Sequence, residues 1–126
     1  MKPVLNILHL YPRDMNIYGD WGNVLTVMRR AQWHGYEPVL LEYNPGDAFP
    51  EHVDIIIGGG GQDAGQDKIQ ADLLKMKPRL LELAQYDTPM LVICGLYQLF
   101  GNFFRTKDGH EITGIGLFNI ETHGGP

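Results

Sequence analysis

Apolar residues recur along the chain at two spacings, one typical of strands and one typical of helices. Four segments carry the alternating or continuous apolar pattern of strands: residues 4–10, 38–43, 53–57 and 90–94. Apolar residues three and four positions apart predict a helix over 20–33, followed by Gly35, and a second over 67–85. Pro78 is expected to kink or break that second helix.

The order of these elements indicates the fold class. Strands that alternate with helices imply right-handed crossovers, and therefore a mostly parallel sheet with helices on both faces. We predict one doubly wound α/β domain over residues 1–126. Near the carboxyl end, residues 103–107 and 110–113 predict a β-hairpin that turns at Asp108-Gly109, and residues 116–121 predict a further strand.

Three segments of this fold follow strands and should meet at one edge of the sheet. They are residues 11–20, residues 58–63, and the turn at Cys94. The carboxyl ends of parallel strands lie at the same edge, which is where ligands bind in open α/β sheets. We therefore expect the functional site at this edge.

Composition narrows the class of protein. The 126 residues carry 44% hydrophobic residues and a formal net charge of −5, with no basic run, so nucleic acid is not an expected partner. One cysteine forms no internal disulfide, and no leader or long apolar segment is visible, so we expect a cytoplasmic protein without membrane insertion. The scattered histidines lack the spacing of metal ligands, so neither a metal nor a cofactor is expected.

Cys94 is the first candidate for chemistry. It ends the apolar run 89–94 and stands directly before the predicted helical segment 95–101. A nucleophile between a strand and a helix stands on a sharp turn, where the helix amino terminus favours the thiolate. The alternative is a free cysteine that packs as a small hydrophobic residue.

Four successive glycines, residues 58–61, follow the third predicted strand. Bare backbone N–H groups there approach a substrate oxygen closely and can stabilise an oxyanion, together with the N–H of Gly95. The alternatives are a plain turn or mobile loop and a phosphate-binding loop. The segment matches neither the Walker pattern nor the GxGxxG dinucleotide fingerprint.

Three motifs together resemble a known family. They are MNIYGDWGN (residues 15–23), GGGQD (59–63) and VICGLYQLFG (92–101), and the chain is similar over essentially its whole length to class I glutamine amidotransferases of the cobyric acid synthase type. Within that family the motifs are most similar to the glutaminase subunits of bacterial lipid II isoglutaminyl synthases. The resemblance implies a flavodoxin-like fold and hydrolysis of glutamine. It also implies ammonia transfer to a Mur-ligase-like, ATP-dependent partner that amidates D-glutamate of lipid II.

The resemblance also implies roles for residues that match the motifs. Cys94 is the nucleophile that forms a glutamyl thioester. Gly60, Gly61 and Gly95 are the oxyanion donors. Gln98, one helical turn after the cysteine, faces the substrate, although a solvated or helix-packing glutamine fits the spacing equally well. The supporting residues of the first motif are Asn16, Tyr18, Gly19, Asp20 and Asn23, of which Asp20 is also explained as a helix N-cap.

Two departures from the family pattern stand out. Leu96 occupies a position where the family usually has glycine, and its side chain is expected to narrow the mouth of the pocket. The family's catalytic histidine lies beyond the matching portion, so this chain is expected to be the amino-terminal part of the domain, to lack that histidine and to be inactive in isolation. A sheet without its later strands should expose an apolar edge, and we expect a homodimer through it.

None of the histidines present is expected to fill this role. His9, His34 and His52 are expected to be surface or hydrogen-bonded residues rather than bases. His123 stands in Thr122-His-Gly-Gly, similar to the family's base, but its order aligns it with the preceding strand, and no role is assigned to it.

The sequence is also compatible with other functions. The chain is alternatively a glutaminase of the cobyric acid synthase type in cofactor biosynthesis, or a non-catalytic relative that binds a partner or glutamine. A third alternative is a different cysteine hydrolase or thiol sensor of the same fold, against which the GGGQD motif argues.

Overall fold

The computed structural model describes residues 2–15, 20–61 and 63–124, with side chains from residue 68 onward in the second helix. Seven strands and three helices are present in these ranges. In chain order they are β1 Val4–Leu10, α1 Asp20–Trp33, β2 Glu37–Tyr43, β3 Ile55–Gly58, α2 Asp63–Gln85, β4 Met90–Val92, α3 Gly95–Phe100, β5 Phe103–Arg105, β6 Glu111–Thr113 and β7 Glu121–His123.

The main sheet has four parallel strands in the order β2-β1-β3-β4. Leu10 at the end of β1 pairs with Gly58 at the end of β3, and Gly58 pairs with Val92 at the end of β4. The carboxyl ends of these three strands therefore lie side by side. The predicted parallel α/β sheet is confirmed.

Helices cover both faces of this sheet. Successive strand residues point to opposite faces, so neighbouring residues of one strand contact different helices. On one face, Ile7 and Ile57 form a buried cluster with Val24 of α1. On the other face, Leu8 and Ile56 belong to the larger core, to which α2 and α3 also contribute; its helix residues include Ile69, Leu73, Leu80, Leu83, Leu96, Leu99 and Phe100.

The second helix differs from its prediction. It begins at Asp63 rather than at residue 67 and runs unbroken to Gln85 with Pro78 inside. Proline has no N–H group, so the carbonyl four residues earlier in the helix loses its hydrogen-bond donor. That carbonyl belongs to Leu74, whose residue is 40% exposed, so water can replace the missing donor. Packing of buried residues on both sides of Pro78, such as Leu73 and Leu80, keeps the helix continuous.

A small second sheet follows, with strand order β6-β5-β7. The predicted hairpin is present, because β5 and β6 pair antiparallel around a turn in which Gly109 has a φ of 91°. The prediction of a strand over residues 116–121 is wrong. Ile115, Gly116 and Phe118 donate their N–H groups to the carbonyls of Leu99, Gly101 and Phe100 at the end of α3, and β7 pairs parallel with β5 only from residue 121.

Among the described residues, no helix combines the length and the apolarity needed to cross a membrane.

Candidate functional site at the carboxyl edge of the sheet

Cys94 lies at a strained turn between β4 and α3. Its φ is 52° and its ψ is −111°, and the residue is exposed. A side chain with a positive φ costs on the order of 1–3 kcal/mol, and such residues cluster at functional sites. The strand ends at Val92, two residues earlier than predicted, because the chain turns here. The thiol is therefore presented to solvent rather than packed in the core.

The glycine loop, residues 58–61, is hydrogen-bonded to this turn on both sides of Cys94. The N–H of Ile93 donates to the Gly58 carbonyl at 3.0 Å, and the N–H of Leu96 donates to the Gly59 carbonyl at 3.3 Å. The structure thus brings the predicted nucleophile and the predicted oxyanion loop to one place.

Leu96 does not narrow a pocket mouth, contrary to the expectation from sequence. Its side chain is fully buried in the main core. A Cβ atom at Gly58 would overlap its Cδ2 atom, so the glycine at 58 provides the space that Leu96 fills. The leucine is therefore a packing residue beneath the turn.

The three predicted oxyanion donors differ in their surroundings. The Gly60 N–H donates to Asp20 Oδ2 at 3.1 Å in a buried environment. Within the described ranges, the N–H groups of Gly61 and Gly95 donate no hydrogen bond. Gly61 is closely covered by the segment after β1, since an added Cβ would lie 2.6 Å from Met15 Sδ.

The remaining predicted site residues are placed as follows. Gln98 is half-buried in α3, and its N–H donates to the Cys94 carbonyl at 3.0 Å. Asp20 is the first residue of α1, and its carboxylate bonds the glycine loop rather than capping its own helix. Asn23 is half-buried in α1. The predictions for Asn16, Tyr18 and Gly19 fall outside the described residues.

The four histidines other than His9 are all exposed. His34 and His52 are exposed at the amino-terminal edge of the sheet, opposite the site. His110 precedes β6, and His123 in β7 lies 3.3 Å from Glu121 Oε2 and edge-on to a phenylalanine ring. The exposure of His34 and His52 agrees with the sequence-based expectation.

His9 does not agree with that expectation. It is fully buried in β1, and within the described residues neither ring nitrogen has a hydrogen-bond partner. Its ring stacks on Trp21, with the centroids 5.9 Å apart. Loss of hydration lowers the pKa of His9, while the nearby carboxylates of Glu42 and Asp20 partly oppose the shift.

A buried polar network beside the site was not predicted from the sequence. The Tyr11 hydroxyl donates to Asp72 Oδ2 at 2.7 Å, and the Tyr43 hydroxyl donates to the same atom at 3.0 Å. Burial is the main cause that raises the pKa of both tyrosines, and the hydrogen bond to the negatively charged Asp72 is the second. This network ties α2 to the ends of β1 and β2. Asp72, a polar residue beside the apolar positions of α2, was the one sequence signal that could have indicated this network.

Among the described residues, no group of three or more histidine, cysteine or acidic side chains is arranged to hold a metal ion. The described site offers a thiol, backbone amides and a side-chain amide.

Comparison with known proteins gives consistent matches. Residues 6–126 match the CobB/CobQ-like glutamine amidotransferase domain. The chain is 40% identical over 119 residues to the lipid II isoglutaminyl synthase (glutamine-hydrolyzing) subunit GatD of Streptococcus pneumoniae, which covers 94% of this chain and 46% of that protein. It is 33% identical over 119 residues to the subunit of the same name from Staphylococcus aureus, covering 94% and 49%. The chain spans about half the length of these curated relatives.

Proposed function

The chain belongs to the family of CobB/CobQ-like glutamine amidotransferases, and from this premise we propose that it hydrolyses glutamine and supplies the ammonia for amidation of lipid II. The similarity to two isoglutaminyl synthase subunits supports this acceptor over the cofactor acceptor of a cobyric acid synthase-type enzyme. The observation that carries the proposal is the exposed Cys94 on a strained turn, hydrogen-bonded on both sides to the glycine loop.

The proposed reaction proceeds in two steps. The Cys94 thiolate attacks the side-chain carbonyl carbon of glutamine, and backbone N–H groups of Gly61 and Gly95 stabilise the oxyanion that forms. The C–N bond then breaks, the amide nitrogen leaves as ammonia after gaining a proton, and a glutamyl thioester remains. Water attacks the thioester, which releases glutamate and restores the thiol. Gln98 lies one turn along α3 from Cys94, and its proposed role is to hydrogen-bond the substrate.

The base that activates the thiol is proposed to come from outside residues 1–126. Base catalysis requires hydrogen-bond reach to the thiol. His34 and His52 stand at the opposite edge of the sheet, and His9 is buried in β1 with its ring against Trp21 of α1. His110 and His123 belong to the segment of the small second sheet, where His123 lies 3.3 Å from Glu121 Oε2. The isolated 126-residue chain is accordingly expected to release no ammonia.

The partner is proposed to be a Mur-ligase-like, ATP-dependent synthetase that amidates D-glutamate in the lipid II stem peptide, in the cytoplasm. The names of both relatives describe a subunit of a synthase, which supports a heteromeric enzyme. Self-association through a sheet edge stays a prediction. The edge strands of the described sheet are β2 and β4, and Leu91 of β4 is 43% exposed.

Covalent labelling tests the nucleophile. In the full-length protein, a diazo-ketone analogue of glutamine should alkylate the Cys94 sulfur with loss of N₂. The intact mass of the protein should rise by the mass of one adduct. Cys94→Ala should show no adduct. A labelled Cys94→Ala protein, or a parent that reacts with peroxide but not with the analogue, would contradict the proposal and favour a thiol sensor.

Turnover tests the acceptor and the partner. The full-length protein with its synthetase partner should release ammonia from glutamine and amidate lipid II, and Cys94→Ala should abolish the glutamine-dependent reaction. With free ammonium chloride in place of glutamine, the Cys94→Ala complex should still amidate lipid II. Glutamine binding without ammonia release from the full-length complex would instead indicate a non-catalytic scaffold.

A further inference from the structure

Asp20 connects the start of α1 to the glycine loop. The residue is only 2% exposed. Its Oδ2 accepts the Gly60 N–H at 3.1 Å, 40 positions further along the chain. A carboxylate acceptor gives a stronger hydrogen bond than a neutral one, and the first turn of a helix favours negative charge.

This hydrogen bond fixes one particular peptide group. The Gly60 N–H and the Gly59 carbonyl belong to the same planar trans peptide, so they point in opposite directions. The carbonyl accepts the N–H of Leu96 at 3.3 Å, and the N–H donates to Asp20. The peptide is thus held at both ends, with its oxygen toward the cysteine turn and its N–H toward α1.

Close packing also restricts this peptide. A Cβ atom at Gly59 would overlap the Asp20 carboxyl group. At Gly61, an added Cβ would lie 3.0 Å from the Asp14 carbonyl oxygen. Rotating the Gly59–Gly60 peptide to present its N–H to the cysteine side would require breaking both hydrogen bonds.

We propose that Asp20 is a positioning residue for the glutaminase reaction, which holds the Gly59–Gly60 peptide so that Gly61 and Gly95, and not Gly60, donate to the oxyanion. This inference rests on the proposed function. It assigns Asp20 a role that acts through the loop backbone rather than through contact with glutamine.

Steady-state kinetics of the full-length protein with its partner test the role. Asp20→Ala should lower kcat for glutamine hydrolysis about 10- to 100-fold while KM changes less than about threefold, because the oxyanion contact is made in the transition state. Asp20→Asn keeps an oxygen acceptor and should stay within about fivefold of the parent. A kcat for Asp20→Ala within twofold of the parent, or an equal loss in both variants, would overturn the proposal.

Asp54 offers an exposed control of the same bond type at the opposite edge of the sheet. Its Oδ2 accepts the Asn6 N–H at 2.7 Å, which is also a carboxylate bond to a backbone amide. Asp54→Ala should lower thermal stability without changing kcat. If Asp54→Ala reduces kcat as much as Asp20→Ala does, the Asp20 effect reports general stability and the positioning role is refuted.

Amide hydrogen exchange tests the hydrogen bond separately from catalysis. In the parent protein, the Gly60 amide should exchange more slowly than the Gly61 amide, and this needs no variant to fold. In Asp20→Ala, Gly60 should exchange on the order of tenfold faster while Asn6 is unchanged, and Asp54→Ala should show the reverse. Equal rates for Gly60 and Gly61 in the parent would overturn the positioning role. A parent without glutaminase activity would instead refute the proposed function.

Discussion

Replacing Asp72 by alanine should destabilise the protein by about 3 kcal/mol. The substitution removes the acceptor of two tyrosine hydroxyls, Tyr11 at 2.7 Å and Tyr43 at 3.0 Å, in residues that are 0% and 1% exposed. A hydrogen bond to a charged group contributes about 1.5–3 kcal/mol, and a buried donor without a partner retains its desolvation cost. The half-buried position of Asp72 allows water to recover part of this loss, so we expect about half of the maximal sum.

Urea and thermal unfolding, followed by circular dichroism, measure this loss. For a domain of this size, 3 kcal/mol corresponds to a decrease of roughly 10 °C in Tm. Lys77→Ala, an exposed position of the same helix, is the control and should change stability by less than about 0.5 kcal/mol.

A double-mutant comparison separates the hydrogen bonds from other effects of Asp72. In a protein with Tyr11→Phe and Tyr43→Phe, the further change Asp72→Ala should cost less than about 1 kcal/mol, because no hydroxyl is left without an acceptor. A loss below about 1 kcal/mol in the parent background, or the same loss in both backgrounds, would refute the reasoning.

Two further predictions concern His9 and Leu96. Burial lowers the pKa of His9 from its ordinary value of 6.5. Below pH 6.5 the unfolded chain therefore binds more protons than the folded one, and the free energy of unfolding should decrease as the pH falls. His9→Phe should flatten this decrease in denaturant titrations between pH 5 and 7. An unchanged slope would contradict the assignment of this pH dependence to His9. Leu96→Ala should lower the free energy of unfolding by about 3 kcal/mol in the same assay, because the side chain is fully buried against Gly58. Leu91→Ala, at a 43% exposed position, should lower it by less than about 1 kcal/mol. Equal losses would show that Leu96 is not a core residue.

Local patterns predicted the elements that determine the architecture. The apolar periods of 4–10 and 20–33 match β1 and α1 in both bounds, and the convergence of three loops at one edge followed from strand order. Both features depend on residues near each other in sequence, or on topological rules that hold for any parallel sheet. Pro78 misled the prediction because tertiary packing outweighs the local preference of one residue.

The interactions that distinguish this site depend on pairs far apart in the chain. Asp20 and Gly60 are 40 positions apart, and Tyr11 and Asp72 are 61 apart. No local spacing identifies which buried carboxylate meets which donor. The last carbonyls of the short helix α3 have no partner within the helix. Residues 115–118 donate backbone hydrogen bonds to these carbonyls, so they cap α3 instead of forming a strand.

The backbone of Cys94 implies a trade-off between durability and reactivity. Its φ of 52° suits glycine better than any residue with a side chain, so the position that bears the sulfur is one where the chain would be more stable without it. Selection for heat resistance alone would favour removing the thiol, and retaining it draws on stability contributed by the rest of the domain. A search for thermostable variants that does not also screen for chemistry should therefore enrich inactive proteins altered at this turn.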